Sequence, residues 1–543
     1  MRNSIDTRRF LARLDTRALG HLFTDTLIIG AGVAGLRCAI EAAPAGQVII
    51  LAKEKPTETN TYYAQGGIAA VLEPSDCTDA HLEDTLRTGC GLTEPDVARR
   101  VVSQAPQHIR QLQQWNLPFD TEADQLALGR EGGHSHHRIV HALGDATGTA
   151  IAECLIDQVQ KLPDVKCFQD CFVIDLLTEN NQCLGALTYH PKHGYQCIWA
   201  RYTVLATGGA GRLYRETSNP PGATADGLAI AYRAGAVLTD LEFMQFHPTT
   251  LYIAGAERTL ITEALRGAGA RLVDRNGLPF MQHHHEMADL APRDIVCRAI
   301  YQQMTQTNAT NVFLDVRHLG SQVLAQRFPT ISALCKSFDI DVDTDLIPVR
   351  PSAHYMVGGV KTDLQARTNI PNLYCCGEAA ATGLHGSNRL ASNSLLEGLV
   401  FGKIAGQHIA QQLKENHHPI ARHNIAYDIP TSERTRLDIP DVTNSLRALM
   451  WRNVGIQRCA QRLNETIEII DFWRRYVMDK VFDQPDGWQC QNMLTVCRLM
   501  AESALLRQES RGTHFRSDFP YTDDEHFKKH LDLQRPTLPQ QTT

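Results

Sequence analysis

No stretch of 18 apolar residues occurs anywhere in the chain, so a membrane-spanning helix is not expected. Long blocks of one charge are missing as well. The 53 basic and 60 acidic residues are mixed along 543 positions and leave a net charge of −7, which argues against a nucleic-acid groove while leaving room for a local basic pocket. The 15 cysteines show neither disulfide-framework nor metal spacing and fall mostly as singletons in apolar contexts, such as Cys38, Cys154 and Cys297. A reducing, cytoplasmic setting follows from that. The first 20 residues carry Arg8, Arg9, Arg13 and Arg17 but no apolar core before a cleavage-like site, so residues 1–23 read as a loose extension and not as a secretory leader. No internal repeat is present.

A chain of this length is too long for one ordinary core and implies two or three domains. "TDTLIIGAGVAGLRCAIEAA" reads as a buried strand (Leu27 to Ile29), a glycine turn and a helix with Val33, Leu36, Ala39 and Ile40 on its apolar face; "QVIILAK" supplies the next strand. Two more apolar runs, "RYTVLATGGAG" and "PNLYCCGEAA", end in glycine before helix-like sequence and belong to the same nucleotide-binding domain. An insertion spans residues 246–356, leaving at "HPTTLYIAGAE" and returning at "PSAHYMVGG". The expected order is therefore a first nucleotide-domain segment at 24–245, a capping domain at 246–356, a second nucleotide-domain segment at 357–420, a linker at 421–440 and a three-helix domain with a frayed tail at 441–543. The last of its helices, in "CQNMLTVCRLMAESALLRQESRG", should end at Gly512 as a C-cap.

Gly30, Gly32 and Gly35 form G-x-G-x-x-G at a strand-to-helix junction, where backbone approaches a pyrophosphate closely; a purely structural glycine turn is the alternative. The acidic ribose ligand usual at the end of the second strand is replaced by Ala52, Lys53 and Glu54, and Lys53 suits an anion better than a ribose. "TYYAQGGIAA", "ATGGAGRLY" and "GEAAATGLHGSNRLASNSLLEGLVFG" shift the balance from a nicotinamide to a flavin: small residues admit a flat ring, and Ser394-Leu395 opens a helix whose amides face the flavin's electron-rich edge. The cofactor set comprises Gly30, Ala31, Gly32, Val33, Ala34, Gly35, Lys53, Asn60, Thr61, Tyr62, Tyr63, Ala64, Gln65, Gly66, Gly67, Asp226, Glu378, Ser394 and Leu395. The fold class is α/β, a Rossmann-like FAD-binding domain interrupted by an α+β cap and followed by a helical bundle.

With "REGGHSHHRIVHALGDATG", "LAPRDIVCRAI" and "LHGSNRLASNSLLEG" added, the chain from about Asp25 onward resembles the L-aspartate oxidase flavoproteins, relatives of the flavoprotein subunits of succinate dehydrogenase and fumarate reductase. The resemblance implies one FAD per subunit, oxidation of L-aspartate to iminoaspartate with oxygen or fumarate as acceptor, and delivery of the product to quinolinate synthase on the route to NAD. The respiratory relatives hold FAD covalently through a histidine before "AQGG"; Asn60 stands here, which implies non-covalent FAD. Glu397 and Gly398 in "NSLLEG" also fit the oxidase branch.

A dicarboxylic amino acid requires two carboxylates to be held, and Arg389 in "GSNRLAS" and Arg293 in "LAPRD" are the candidates for that task. His247 in "MQFHPTT" and His354 in "PSAHYMVGGV" border the two passages between domains and would donate to a substrate carboxylate in a dry cleft; satisfied core histidines are the alternative. The resemblance places Thr262, Glu263 and Ser392 around the substrate and gives Arg293 a part in proton transfer. It also implies an acidic partner for the substrate ammonium a few residues before "REGGHS", which spacing from Arg130 puts at Asp124 or Glu122. His283 to His285 read as loop, and no metal is expected. A soluble fumarate reductase, indifferent to the amino group, and a flavin-bearing protein without turnover are the competing readings.

Overall fold

The computed structural model describes residues 8–256, 258–416, 419–430 and 432–536. At its centre a seven-stranded sheet runs Phe172–Glu179, Gln182–His190, Gly194–Leu205, Gly20–Ile29, Val48–Leu51, Val165–Phe168, with Leu373–Cys375 pairing off the path on Gly194–Leu205. The pairing is parallel from Leu373–Cys375 across to Val165–Phe168, whereas the Phe172 to Leu205 stretch is an antiparallel meander. Register puts Cys375, Leu205, Ile29, Leu51 and Phe168 in one row, so the parallel strands end together. A ligand crevice belongs beyond such a row of carboxyl ends.

Alternation along the strands builds a core on each face. Leu27, Ile29, Ile49 and Leu51 pack toward the C-terminal helices, while Ile28, Ile50 and Val204 pack against the Val33–Ala42 and Asn393–Glu415 helices. Gly30 turns the chain from strand to helix at φ 118°, and a Cβ there would lie 2.0 Å from the Ala206 carbonyl oxygen, so only glycine fits.

The inserted segment folds on a separate antiparallel sheet, ordered Met244–Leu251, Ile347–Met356, Val312–Asp315, Arg271–Val273, with its own core around Leu272, Ile300, Leu314 and Ile347. Helices Ile439–Asn453, Ala460–Val477 and Pro485–Leu506 form the C-terminal unit. Among the described residues no helix is long and apolar enough to cross a membrane.

Two readings of the sequence are corrected. Residues 8–23 are not loose: Phe10, Leu11 and Leu14 are buried, the Leu11 amide donates to Asp175, and Leu14–Asp15 pairs with Ala426–Tyr427. The apolar residues between the arginines do this, and charge counting hides them. Residues 1–7 of that expected extension, and 537–543 of the expected frayed tail, lie outside the described residues. The helix that begins at Pro485 stops at Leu506 and not at Gly512, because Arg507 turns to an extended conformation and buries its guanidinium against Glu242 and Glu509.

Candidate active site

A long cleft opens at the carboxyl end of the parallel strands and is lined by the residues that follow four of them: Gly30 to Ala34, Ala52 to Lys55, Ala206 to Gly208 and Cys376 to Glu378. Its far end reaches Gly66, Gly67, Glu131, Arg293, His354, Arg389, Ser392 and Ser394, where the cap meets the central domain. Four buried side-chain atoms of residues on its wall, Asn60 Oδ1, Gln65 Oε1, Thr207 Oγ1 and Asn219 Oδ1, have no hydrogen-bond partner. Buried polar atoms are rarely left so, and a polar ligand would satisfy them.

At the cap end two arginines share one acceptor. Gln245 Oε1 receives Arg293 Nη1 at 3.2 Å and Arg389 Nη2 at 3.0 Å, while the Gln245 amide is itself fixed by donating to Asn388 Oδ1 and to the Arg389 carbonyl, both at 2.8 Å. Arg293 is also paired with Glu263. Arg389, 4% exposed, makes no ion pair among the described residues; it rests its guanidinium 4.5 Å above the Tyr355 ring and donates to Ser394. Burial, followed by the nearby Arg293, lowers its pKa to about 10. A buried cation without a carboxylate is costly and calls for an anion.

Beside the arginines the His247 and His354 rings meet edge-on with centroids 5.1 Å apart, carried by the paired strands Met244–Leu251 and Ile347–Met356. Burial pushes both well below the usual histidine range, with His247, Arg293 and Arg389 adding to the effect on His354, so both are neutral. Opposite them Glu131, 3% exposed, accepts from Ser392 Oγ at 2.7 Å and lies 3.9 Å from His141 Nε2.

Residues 25–395 match the FAD binding domain family and residues 443–540 the fumarate reductase flavoprotein C-terminal family. L-aspartate oxidase from Streptomyces coelicolor is 39% identical, with 93% of this chain and 90% of that protein covered. The chain belongs to the L-aspartate oxidase family. The Bacillus subtilis L-aspartate oxidase is 40% identical over 91% of each chain, and the family's link to fumarate reductases shows in a solved variant of E. coli quinol fumarate reductase, 31% identical with a TM-score of 0.88 over 95% of both chains.

The family's cofactor is FAD, and the cleft fits it. Of the sequence-derived cofactor set, Gly30 to Ala34, Lys53, Asn60, Thr61, Tyr63 to Gly67, Glu378, Ser394 and Leu395 line the cleft. Gly35, Tyr62 and Asp226 stand behind it: Tyr62 packs on the Tyr63 ring, and Asp226 fixes Lys53 at 2.9 Å while accepting from Asn492 at 2.7 Å. Asn60 offers no nucleophile, and its amide donates to Glu378 at 3.0 Å.

Among the sequence-derived substrate residues of this family member, Arg293, His354, Arg389 and Ser392 face the cleft; His247 backs His354, Glu263 backs Arg293, and Thr262 is buried next to Glu263. Glu122 and Asp124 do not join them. Both are exposed on a hairpin formed by Thr121–Glu122 and Gln125–Leu126, so the expectation that one of them meets the substrate is corrected. Positive φ at Ala123 and Asp124 reverses the chain there and carries both carboxylates to the surface. A buried acidic residue that does line the cap end of the cleft is Glu131, inside the "REGGHS" string itself, which the sequence reading uses only as a marker. Gln245 and Tyr355 were missed too, although each stands two residues or fewer from a singled-out histidine.

Proposed function

We propose that the chain is an FAD-dependent L-aspartate oxidase that converts L-aspartate to iminoaspartate. The observation that carries this is the charge pattern at the cap end of the cleft: two guanidiniums on one amide oxygen, one of them without a carboxylate partner, facing a buried carboxylate. That arrangement complements a molecule with two carboxylates and one ammonium.

Arg389 takes one carboxylate in a bidentate grip, since among the described residues its fork is otherwise held only by Gln245, Ser394 and the Tyr355 face. His247 and His354, neutral by burial, donate to a carboxylate without adding charge, and His354 is steadied by Ser218 at 2.9 Å from its Nδ1. Ser392 completes the polar wall, with Thr262 buried next to Glu263. Glu131 faces the ammonium, which sets L-aspartate apart from succinate. Burial opposes ionisation of Glu263, but Arg293 and Arg266 outweigh it and hold the carboxyl down to about 2, so Arg293 is fixed in place beside the reacting carbon. When bound, FAD supplies the acceptor for hydride from the substrate's α-carbon. The cap sheet excludes water from that step.

Oxygen, giving hydrogen peroxide, and fumarate, giving succinate, are the electron acceptors; fumarate suits the same cationic wall. The product is the substrate of quinolinate synthase, which makes the reaction the first step of de novo NAD biosynthesis. The test is anaerobic mixing of the FAD-loaded protein with L-aspartate and, separately, with succinate. Loss of the oxidised flavin's visible band with L-aspartate alone is expected; loss with succinate alone, or with neither, overturns the reading.

A further inference from the structure

An amino acid poses a problem that a plain dicarboxylate does not. It arrives as an ammonium, and the nitrogen must give up a proton before its lone pair can assist hydride loss from the α-carbon. Glu131 is placed to receive that proton but poorly suited to keep it. Burial raises its carboxyl, yet His141 and Arg293 together overcome that and leave it below the ordinary carboxylate range. Imidazole is the more basic side-chain type and the usual proton shuttle near neutrality.

His141 has the geometry of an outlet. Its Nε2 is buried without a hydrogen-bond partner and lies 3.9 Å from Glu131 Oε1, while 17% of the side chain remains exposed. One end of the ring therefore faces the buried carboxylate and the rest reaches the surface. Room for it is kept by Gly129, where a Cβ would sit 2.9 Å from His141 Cε1. Its backbone is fixed by the Asp120 amide, which donates to the His141 carbonyl at 2.9 Å.

We propose that His141 is the proton outlet of the substrate site, a positioning residue that acts through Glu131; this rests on the amino-acid oxidase reading above. The ammonium N–H bond breaks, its electron pair stays on nitrogen and the proton passes to the Glu131 carboxylate. Glu131 hands it to His141 Nε2, directly or through one water across the 3.9 Å gap, and the imidazolium releases it to solvent. One proton leaves per substrate, and no electrons move in the relay. The other charged groups nearby are already engaged. Glu263 and Arg293 lie beyond Glu131, Asp120 accepts from the Gly144 amide at 3.0 Å, and Asp145 accepts from the Thr330 and Ile331 amides.

The experiment is anaerobic rapid mixing of FAD-loaded wild type, His141→Gln and His141→Ala with L-aspartate from about pH 6 to about pH 9, with and without added imidazole. In the variants flavin reduction slows about tenfold or more at neutral pH, the acid limb of the wild-type profile flattens, and imidazole restores part of the rate to His141→Ala. Succinate affinity, read from the shift of the flavin band, stays at the wild-type value, because succinate has no ammonium. Wild-type rates and pH profiles in both variants overturn the proposal. So does a loss that imidazole leaves in place and that is matched by an equal loss in fumarate-driven flavin reoxidation, which marks a structural effect. A wild type that L-aspartate fails to reduce overturns the oxidase reading and the relay together.

Discussion

Glu378 is the side chain whose ionisation the site controls most visibly. It is half-buried on the cleft wall, accepts from the Met356 amide at 2.9 Å and from Asn60, and burial pushes its carboxyl from 4.5 up to about 7. The folded state thus keeps a proton that the unfolded chain releases. Its contribution to stability is fully present below the unfolded value of 4.5 and is lost as pH rises through about 7. Over that window the wild type should lose up to about 3 kcal/mol that Glu378→Gln, always neutral, does not. Urea midpoints of both proteins across the window check this; parallel pH curves would refute it. Part of this scale was legible in the sequence: Arg293, His354 and Arg389, taken from the family strings "LAPRD", "PSAHYMVGGV" and "GSNRLAS", line the cleft, and His247 stands behind His354. Glu131, the buried acid beside Ser392, was not. Counting outward from Arg130 assumes a chain that keeps going, and the turn at Ala123 and Asp124 breaks that assumption.

Among elements, the segment that carries Glu131 has no regular structure and is held by side chains. Arg138 is fully buried and binds Asp76 through two nitrogens at 2.8 and 2.9 Å and Asp84 at 2.6 Å, while Asp84 also accepts the Ser135 amide at 2.7 Å. Both aspartates stay below their usual range, since Arg138 and the Ser135 and Cys77 amides outweigh the burial that would raise them; their contribution is lost as pH falls. Arg138→Leu leaves the buried Asp76 without its arginine and Asp84 with Arg87 alone, and is expected to cost about 3–5 kcal/mol in urea unfolding, with FAD bound less tightly. A loss under about 1 kcal/mol would show the segment to be held by other contacts. Periodicity revealed the strands and helices around the cleft, because apolar alternation and glycine turns are local signals. It could not reveal where the helix that begins at Pro485 stops. Arg507 ends that helix for a partner, Glu242, that is 265 residues away.

For the molecule as a whole, the cap is seated on its neighbours by several contacts, among them Gly132 to Glu263 and Asn388 to Asp294, and one further contact does so through the start of a helix. Asp145, 2% exposed, belongs to the central domain's "GDATG" turn, yet its two carboxylate oxygens accept the Thr330 and Ile331 amides at 3.0 Å each. Those amides open the cap helix Pro329–Ser337, whose preceding residue, Phe328, supplies no side-chain cap of its own. The helix is capped from another domain, so capping and docking are one event. Asp145→Ala should remove about 0.5–2 kcal/mol from the seated arrangement. The cap end of the cleft is divided between the same two bodies, with Arg293 and His354 on the cap side and Arg389 and Glu131 on the other. Loss of the contact is therefore expected to raise KM for L-aspartate several-fold and to expose the cap to limited proteolysis, with FAD content unchanged. Asp145→Asn, which keeps one acceptor oxygen, should fall between. A variant that loses FAD in parallel with substrate affinity would place the role of Asp145 in the central domain alone.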